Sequence, residues 1–170
     1  MTGFLRDPDP SWTDRAAHEI AVWQDALGTA LVACHHIGST AVPDLAAKPI
    51  LDLLPVVTDL DALTDATPTL VARGYEAMGA FGLPGRRYFR KSGPDDVRRV
   101  HAHAYASGDP AIARHLAFRD ILRDDAATRL AYEQVKRAAD VAACGDVDRY
   151  MDLKDSFIKA NEARALSRYS

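Results

Sequence analysis

The sequence predicts an α+β fold of α/β-like character: a mixed β-sheet packed with helices, followed by a helical C-terminal half. Three observations carry this reading. Apolar runs of strand length lie near 30–37 and 50–57, a hairpin pattern around a Ser-Gly-Pro-Asp turn spans 86–105, and helical periodicity takes over after Asp109-Pro110. At 170 residues and 48% hydrophobic the chain is long enough for one domain with a real core, so residues 1–170 read as a single domain. No repeat, low-complexity linker or composition shift marks a boundary.

Asp9-Pro10 offers a cap and a first-turn proline for the first helix, in which Trp12, Ala16, Ile20, Trp23 and Leu27 recur at helical spacing until Gly28. "ALVACHHI" reads as a short buried strand running into Gly38, and "PILDLLPVV" as a second strand at 50–57, with room between them for a short helix or turn. Thr58/Asp59 caps a helix over 59–66, Pro68 interrupts it, and a second helical piece runs from Pro68 to Arg73 with Gly74 as terminator. Strands follow near 86–91 and 97–105, placing His101, His103 and Tyr105 on one face. Helices then run to 124, from 126 to 143, and from Asp146 after a Gly145 stop. The helices are expected over one face of the sheet.

The net charge of −3 and pI near 6.0 argue against general nucleic-acid binding or an anionic-membrane surface, because both need a cationic excess. Cys34 and Cys144 form no metal-type or redox-type pair. With no signal peptide and no long apolar run, a reduced cytoplasmic setting is the expectation. Nothing in the pattern speaks to oligomeric state.

Several residues could carry chemistry. Gly38-Ser39-Thr40 follows a strand, so its backbone N–H groups and hydroxyls could converge on an anion; the plainer alternative is a turn in which Ser39 or Thr40 caps a helix. Asp52 sits in an otherwise apolar strand just after Lys48-Pro49, and a carboxylate there must meet a cation, a metal or several donors. His101 and His103 alternate with alanines, about 6 to 7 Å apart on one strand face, which suits a phosphate, a metal or ordinary strand residues. Among the basic residues around Tyr88 and Phe89, Arg87 reads as an anion-clamp residue, and Arg86 and Lys91 as a solvated edge. Arg119, and Tyr150 with Lys154 at i, i+4, read by themselves as helix-surface residues.

Taken in order, "HIGSTAVPDLAAKPILDLL", "RRYFRK", "HAHA", "LAFRDILR", "AYEQVKR" and "YMDLKDSFI" resemble the GrpB family of bacterial proteins. The resemblance covers nearly the whole chain. It implies a divergent branch of the nucleotidyltransferase superfamily with a polymerase-beta-like fold, whose signature is a Gly-Ser turn, a spacer, then Asp-x-Asp on the next strand. Carried over, Gly38 and Ser39 take the place of the phosphate-gripping turn and Asp52 that of the first metal-binding carboxylate. Leu54 stands where the second carboxylate belongs, and a leucine supplies no lone pair for a two-metal site. If the strand of His101 and His103 replaces the one that normally brings a third carboxylate, imidazoles stand there instead. Asp44 replaces the family's usual glycine between Pro43 and Leu45.

The resulting expectation is a nucleotidyltransferase-like protein that binds a nucleotide or phosphorylated small molecule. Gly38, Ser39 and Thr40 grip phosphate, Lys48 and Arg87 neutralise it, and Asp52 binds a single divalent metal, magnesium or manganese ahead of zinc, or acts as a base. His101 and His103 contact substrate or metal, and Arg119, Tyr150 and Lys154 close the pocket. The alternative is a non-catalytic nucleotide-binding or sensing module. A divalent ion at Asp52 with an open coordination position favours the enzyme; an anion held by Ser39 and basic residues alone favours the binding module.

Overall fold

The computed structural model describes residues 3–169. Helix α1 (Ser11–Leu27) follows Asp9, whose carboxylate accepts from the Ser11 amide at 2.9 Å, and it buries Trp12, Ala16, Trp23 and Leu27. Strands β1 (Leu31–Ile37) and β2 (Leu51–Val57) pair antiparallel, joined through a three-residue 3-10 turn at Ser39–Ala41. Strands β3 (Tyr75–Ala77), β4 (Arg87–Ser92) and β5 (Arg98–Ala106) complete a five-stranded sheet in the order β1-β2-β5-β4-β3. It is mixed, because β2 and β5 run parallel while the other pairs are antiparallel. The sequence reading lacks β3; three residues are too few to display a period of two.

The parallel pairing demands a crossover, which α2 (Leu60–Ala72) begins. Asp59 caps it, accepting from the Ala62 amide at 2.8 Å. The expected break at Pro68 does not occur. Pro68 and Thr64 are exposed, so the carbonyl deprived of its N–H partner can be hydrated, while Leu63 and Leu70 are buried on either side and hold both halves of the helix on the sheet. Beyond β5 come α3 (Pro110–Asp124), α4 (Ala126–Ala143) and α5 (Val147–Tyr169). Asp109 and Asp125 cap α3 and α4 through the amides of Ala111 and Thr128.

Helices cover both faces of the sheet, which corrects the one-face expectation. Helices α1 and α2 pack on Leu51, Leu53, Val57, Val100, Ala102 and Ala104. On the opposite face Ile37, Leu54 and Tyr105 meet Ile112 and Leu116 of α3. Both sets come from the same strands, whose successive side chains alternate between faces. Among the described residues no helix is long and apolar enough to cross a membrane.

Candidate functional site

Asp52, the second residue of β2, lies on the α3 side of the sheet and is the hub of the polar cluster. Its Oδ1 is 3.3 Å from His103 Nε2 and 3.7 Å from His101 Nδ1, and its side chain is 31% exposed. The register accounts for the meeting, since Asp52 pairs with His101 across the parallel strands. Burial opposes the ionised form of Asp52, but the hydrogen bonds and charges of the two histidines outweigh it and hold the carboxyl well below the usual carboxylate range. Gly38 is built against this carboxylate: at φ +72 a Cβ placed on it would stand 2.6 Å from Asp52 Oδ2. Only glycine fits both the conformation and the contact.

Arg86 lies against the far nitrogen of His103. Buried, it lies with Nη1 3.4 Å from His103 Nδ1 and donates from Nη2 to the Phe81 carbonyl at 2.8 Å. A guanidinium only donates, so this contact favours the form of His103 in which Nδ1 accepts and Nε2 donates to Asp52. Histidine ligands of metals hold the opposite arrangement, donating from the far nitrogen to an acceptor. Neither do the donors suit magnesium or manganese, which take sets of oxygens. Leu54 is 0% exposed among Ile37 and Tyr105, and among the described residues no group of three histidine, cysteine or acidic side chains is arranged to hold a metal. The residues present therefore do not fit the expected metal site.

Three lysines converge from distant parts of the chain, of which Lys48 and Lys154 are near enough to Asp52 to feel its charge. Lys48 precedes β2, Lys136 lies on α4 and Lys154 on α5. Lys48 Nζ is 4.4 Å and Lys154 Nζ 4.1 Å from the centre of the buried Tyr150 ring. Lys136 Nζ is 5.1 Å from the Tyr132 ring and donates to the Ala46 carbonyl. Burial, helped by the charge of Lys48, pushes Lys154 down to about 8, although Asp52 pulls the other way. Burial and the charge of Lys154 push Lys136 down to about 7, and burial also lowers Lys48. Among the described residues lysine ion pairs join Lys91 to Glu19 and Lys159 to Asp155; none of these three takes part in one. The N-terminal segment packs against this cluster: Phe4 donates its amide to Asp140 at 2.7 Å and sets its ring 4.3 Å from Lys48 Nζ.

The fold thus brings Gly38, Asp52, His101 and His103 together, with Lys48, Tyr150 and Lys154 beside them. Ser39 lies near enough to Tyr132 to lower that phenol's pKa against the larger raising effect of burial. Thr40 is buried, and its hydroxyl is engaged by His36 Nε2 at 2.8 Å. Arg119 is spent on Asp120, at 2.7 Å, and on the His36 carbonyl, at 3.2 Å, so it braces β1. Arg87 pairs with Ala104 and shares the α1 side of the sheet, whereas Tyr88 pairs with His103. It therefore points away from Asp52, and its neighbour Arg86, read from sequence as a solvated edge residue, occupies the site instead. Asp44 is exposed and at φ +60, the conformation that explains glycine as its alternative.

Sequence reasoning missed Lys136 and Tyr132. The signal was present: Tyr132 and Lys136 repeat on α4 the i, i+4 spacing of Tyr150 and Lys154 on α5. A surface hollow of about 540 Å³ lies elsewhere, lined in part by Asp14, Arg15, Glu19, Lys91 and Arg99. Its Lys91 and Arg99 are already paired with Glu19 and Asp95, which leaves them little call for an anion.

Comparison with known proteins agrees with this architecture. The crystal structure of conserved protein GrpB from Enterococcus faecalis matches with a TM-score of 0.91 at 39% identity, covering 97% of this chain and 98% of that one. The structure of the GLD-2/RNP-8 complex matches at TM-score 0.55 and 16% identity, over 78% of this chain and 55% of that one, a likeness of fold. The fold is accordingly nucleotidyltransferase-like, with a polymerase-beta-like sheet. A UPF0157 protein of Streptomyces coelicolor is 42% identical over 161 residues, covering 95% of this chain and 83% of its own. UPF0157 protein YqkA of Bacillus subtilis is 40% identical over 139 residues, and the match spans 82% of this chain but only 40% of that longer protein. A family model described as GrpB protein matches residues 4–164, which takes in the Gly38 turn, Asp52, both histidines and all three lysines. The chain belongs to the GrpB family.

Proposed function

We propose that this protein binds the phosphate groups of a nucleotide or phosphorylated small molecule in the pocket between β2 and helices α4 and α5. The observation that carries the reading is the convergence of Lys48, Lys136 and Lys154, near enough for Lys48 to depress the pKa of Lys154 and Lys154 that of Lys136, with none of them in an ion pair among the described residues. Burial of these cations is only partly offset by the charges of Asp140 and Asp52, and a bound polyanion that stabilises their charged forms is the natural complement of the cluster. Ser39 and Tyr132 add hydroxyls at the rim.

Asp52 stays ionised and is a weak base at neutral pH, because a strongly lowered pKa is the wrong direction for proton abstraction. Its role here is to orient His103 and to repel misplaced phosphate toward the lysines. This favours a binding or sensing module. Transfer of a nucleotidyl or phosphoryl group is the second reading, favoured by the contact between the Gly38 turn and the Asp52 carboxylate, the two parts that such transfer would use.

Titration calorimetry with inorganic tripolyphosphate tests the binding reading. Affinity should fall as the pH rises through about 8, where Lys154 loses its proton, and binding near that pH should draw protons from the buffer. No binding at pH 7 by the folded protein rejects it. Release of pyrophosphate from a bound nucleoside triphosphate, abolished in Asp52→Asn, would decide for the second reading.

A further inference from the structure

We infer that Phe81, stacked on Tyr88, is a platform for a planar heterocycle of the ligand, so that the ligand is a nucleotide and not a sugar phosphate. This rests on the phosphate-binding reading and extends it to the other side of Asp52.

The β3–β4 loop supplies the observations. Its ends are tied by two bonds of 2.8 Å, from the Met78 amide to the Tyr88 carbonyl and from the Tyr88 amide to the Gly79 carbonyl. Within it Phe81 takes φ +46, a left-handed conformation that bulky residues rarely adopt, and leaves 58% of its surface in solvent. An exposed aromatic ring in an unfavourable backbone state is held there by something. That something is Arg86, which donates to the Ala80 and Phe81 carbonyls while its guanidinium lies 5.1 Å from the Tyr88 ring.

The ring geometry is that of half a sandwich. Phe81 and Tyr88 stack with centroids 5.1 Å apart and planes 26° from parallel, so one face of Phe81 is covered and the other is open. Tyr88 in turn contacts His101 at 5.6 Å and His103 at 5.4 Å, the two histidines that reach Asp52. Arg86 makes a second connection, from the Phe81 carbonyl to His103. The platform is therefore continuous with the polar cluster through both side chain and backbone. A flat face, desolvated behind and open in front, is what a nucleobase needs, since stacking uses the π-face that every base possesses.

The test titrates the full chain and its variants with each of the four ribonucleoside triphosphates and with inorganic tripolyphosphate. Phe81→Leu keeps an exposed apolar side chain and removes the flat face; Phe81→Trp enlarges it. At least one nucleotide should bind more tightly than tripolyphosphate, and Phe81→Leu should weaken that nucleotide about 5- to 100-fold, the range of a lost base–aromatic stack. Tripolyphosphate affinity should be unchanged, and Phe81→Trp should restore the nucleotide. An unchanged nucleotide affinity in Phe81→Leu, or an equal loss for nucleotide and tripolyphosphate, overturns the platform while the phosphate site stands. Should the parent bind none of these probes, the phosphate reading falls, and the Phe81 ring resonances in a nucleoside titration decide the platform alone: shifts sustain it, their absence overturns it.

Discussion

The two faces of the sheet are made by the same strands under opposite rules. Toward α1 and α2, β2 and β5 present Leu51, Leu53, Val57, Val100, Ala102 and Ala104 to Trp12 and Trp23, an unbroken apolar core. Toward α3, one position along each strand, stand Asp52, His101 and His103, with Leu54 and Tyr105 as their apolar floor. A period of two lets one strand serve both purposes. The dry face supplies rigidity, and rigidity is what allows the other face to hold partly desolvated charges at fixed separation.

The largest expected effect comes from forcing the polar rule onto the floor. Leu54→Asp places an unpaired carboxylate among Ile37, Tyr105 and Leu116, and should cost about 4 kcal/mol or more in denaturant unfolding. A folded variant with new magnesium affinity would break the distinction between floor and site.

Gly38→Ala ranks next. It meets both a left-handed φ and the Asp52 carboxylate, so a loss of about 2 to 4 kcal/mol is expected together with loss of tripolyphosphate binding. Gly28→Ala is the matched control, at φ +53 with nothing within 4 Å, and should cost about 1 kcal/mol with binding retained. Equal losses would mean that contact with Asp52 contributes nothing.

Lys154→Met sharpens the comparison through pH. The folded pKa, about 8, lies below the ordinary lysine value of 10.5, so the penalty of burying charge is present in full below pH 8 and fades as pH rises toward 10.5. At pH 7 the variant should therefore unfold about 1 to 3 kcal/mol less readily than the parent, the difference shrinking by pH 10, while tripolyphosphate affinity drops at least about tenfold. A less stable variant at pH 7 would show that Lys154 is a structural cation.

Arg87→Ala should do least. Its side chain shares the face of Ala104, so calorimetry should show unchanged affinity, with stability altered by about 0.5 kcal/mol or less. A clear loss of affinity would return Arg87 to the pocket and contradict the register.

Much of the site was legible in order along the chain, because the Gly38 turn, Asp52 and the alternating His101 and His103 each carry a local signature. The arginines were not. Arg86 and Arg87 are adjacent and chemically identical, and which of them reaches His103 depends on how β4 registers on β5, something neither residue encodes by itself. Pro68 misled for a related reason: its local penalty was real, but contacts of Leu63 and Leu70 with the core outweighed it.

By itself the sequence determined the elements that depend on near neighbours: the caps at Asp59 and Asp109 and the helical periodicity of α1. Only the tertiary structure decided which charges meet. Asp52 and His103 are 51 positions apart, and the three lysines come from a loop and two helices whose spacing no local pattern specifies. Propensity and capping act over a turn of chain, whereas the pKa of a lysine or the tautomer of a histidine is set by whatever packing brings within a few ångströms.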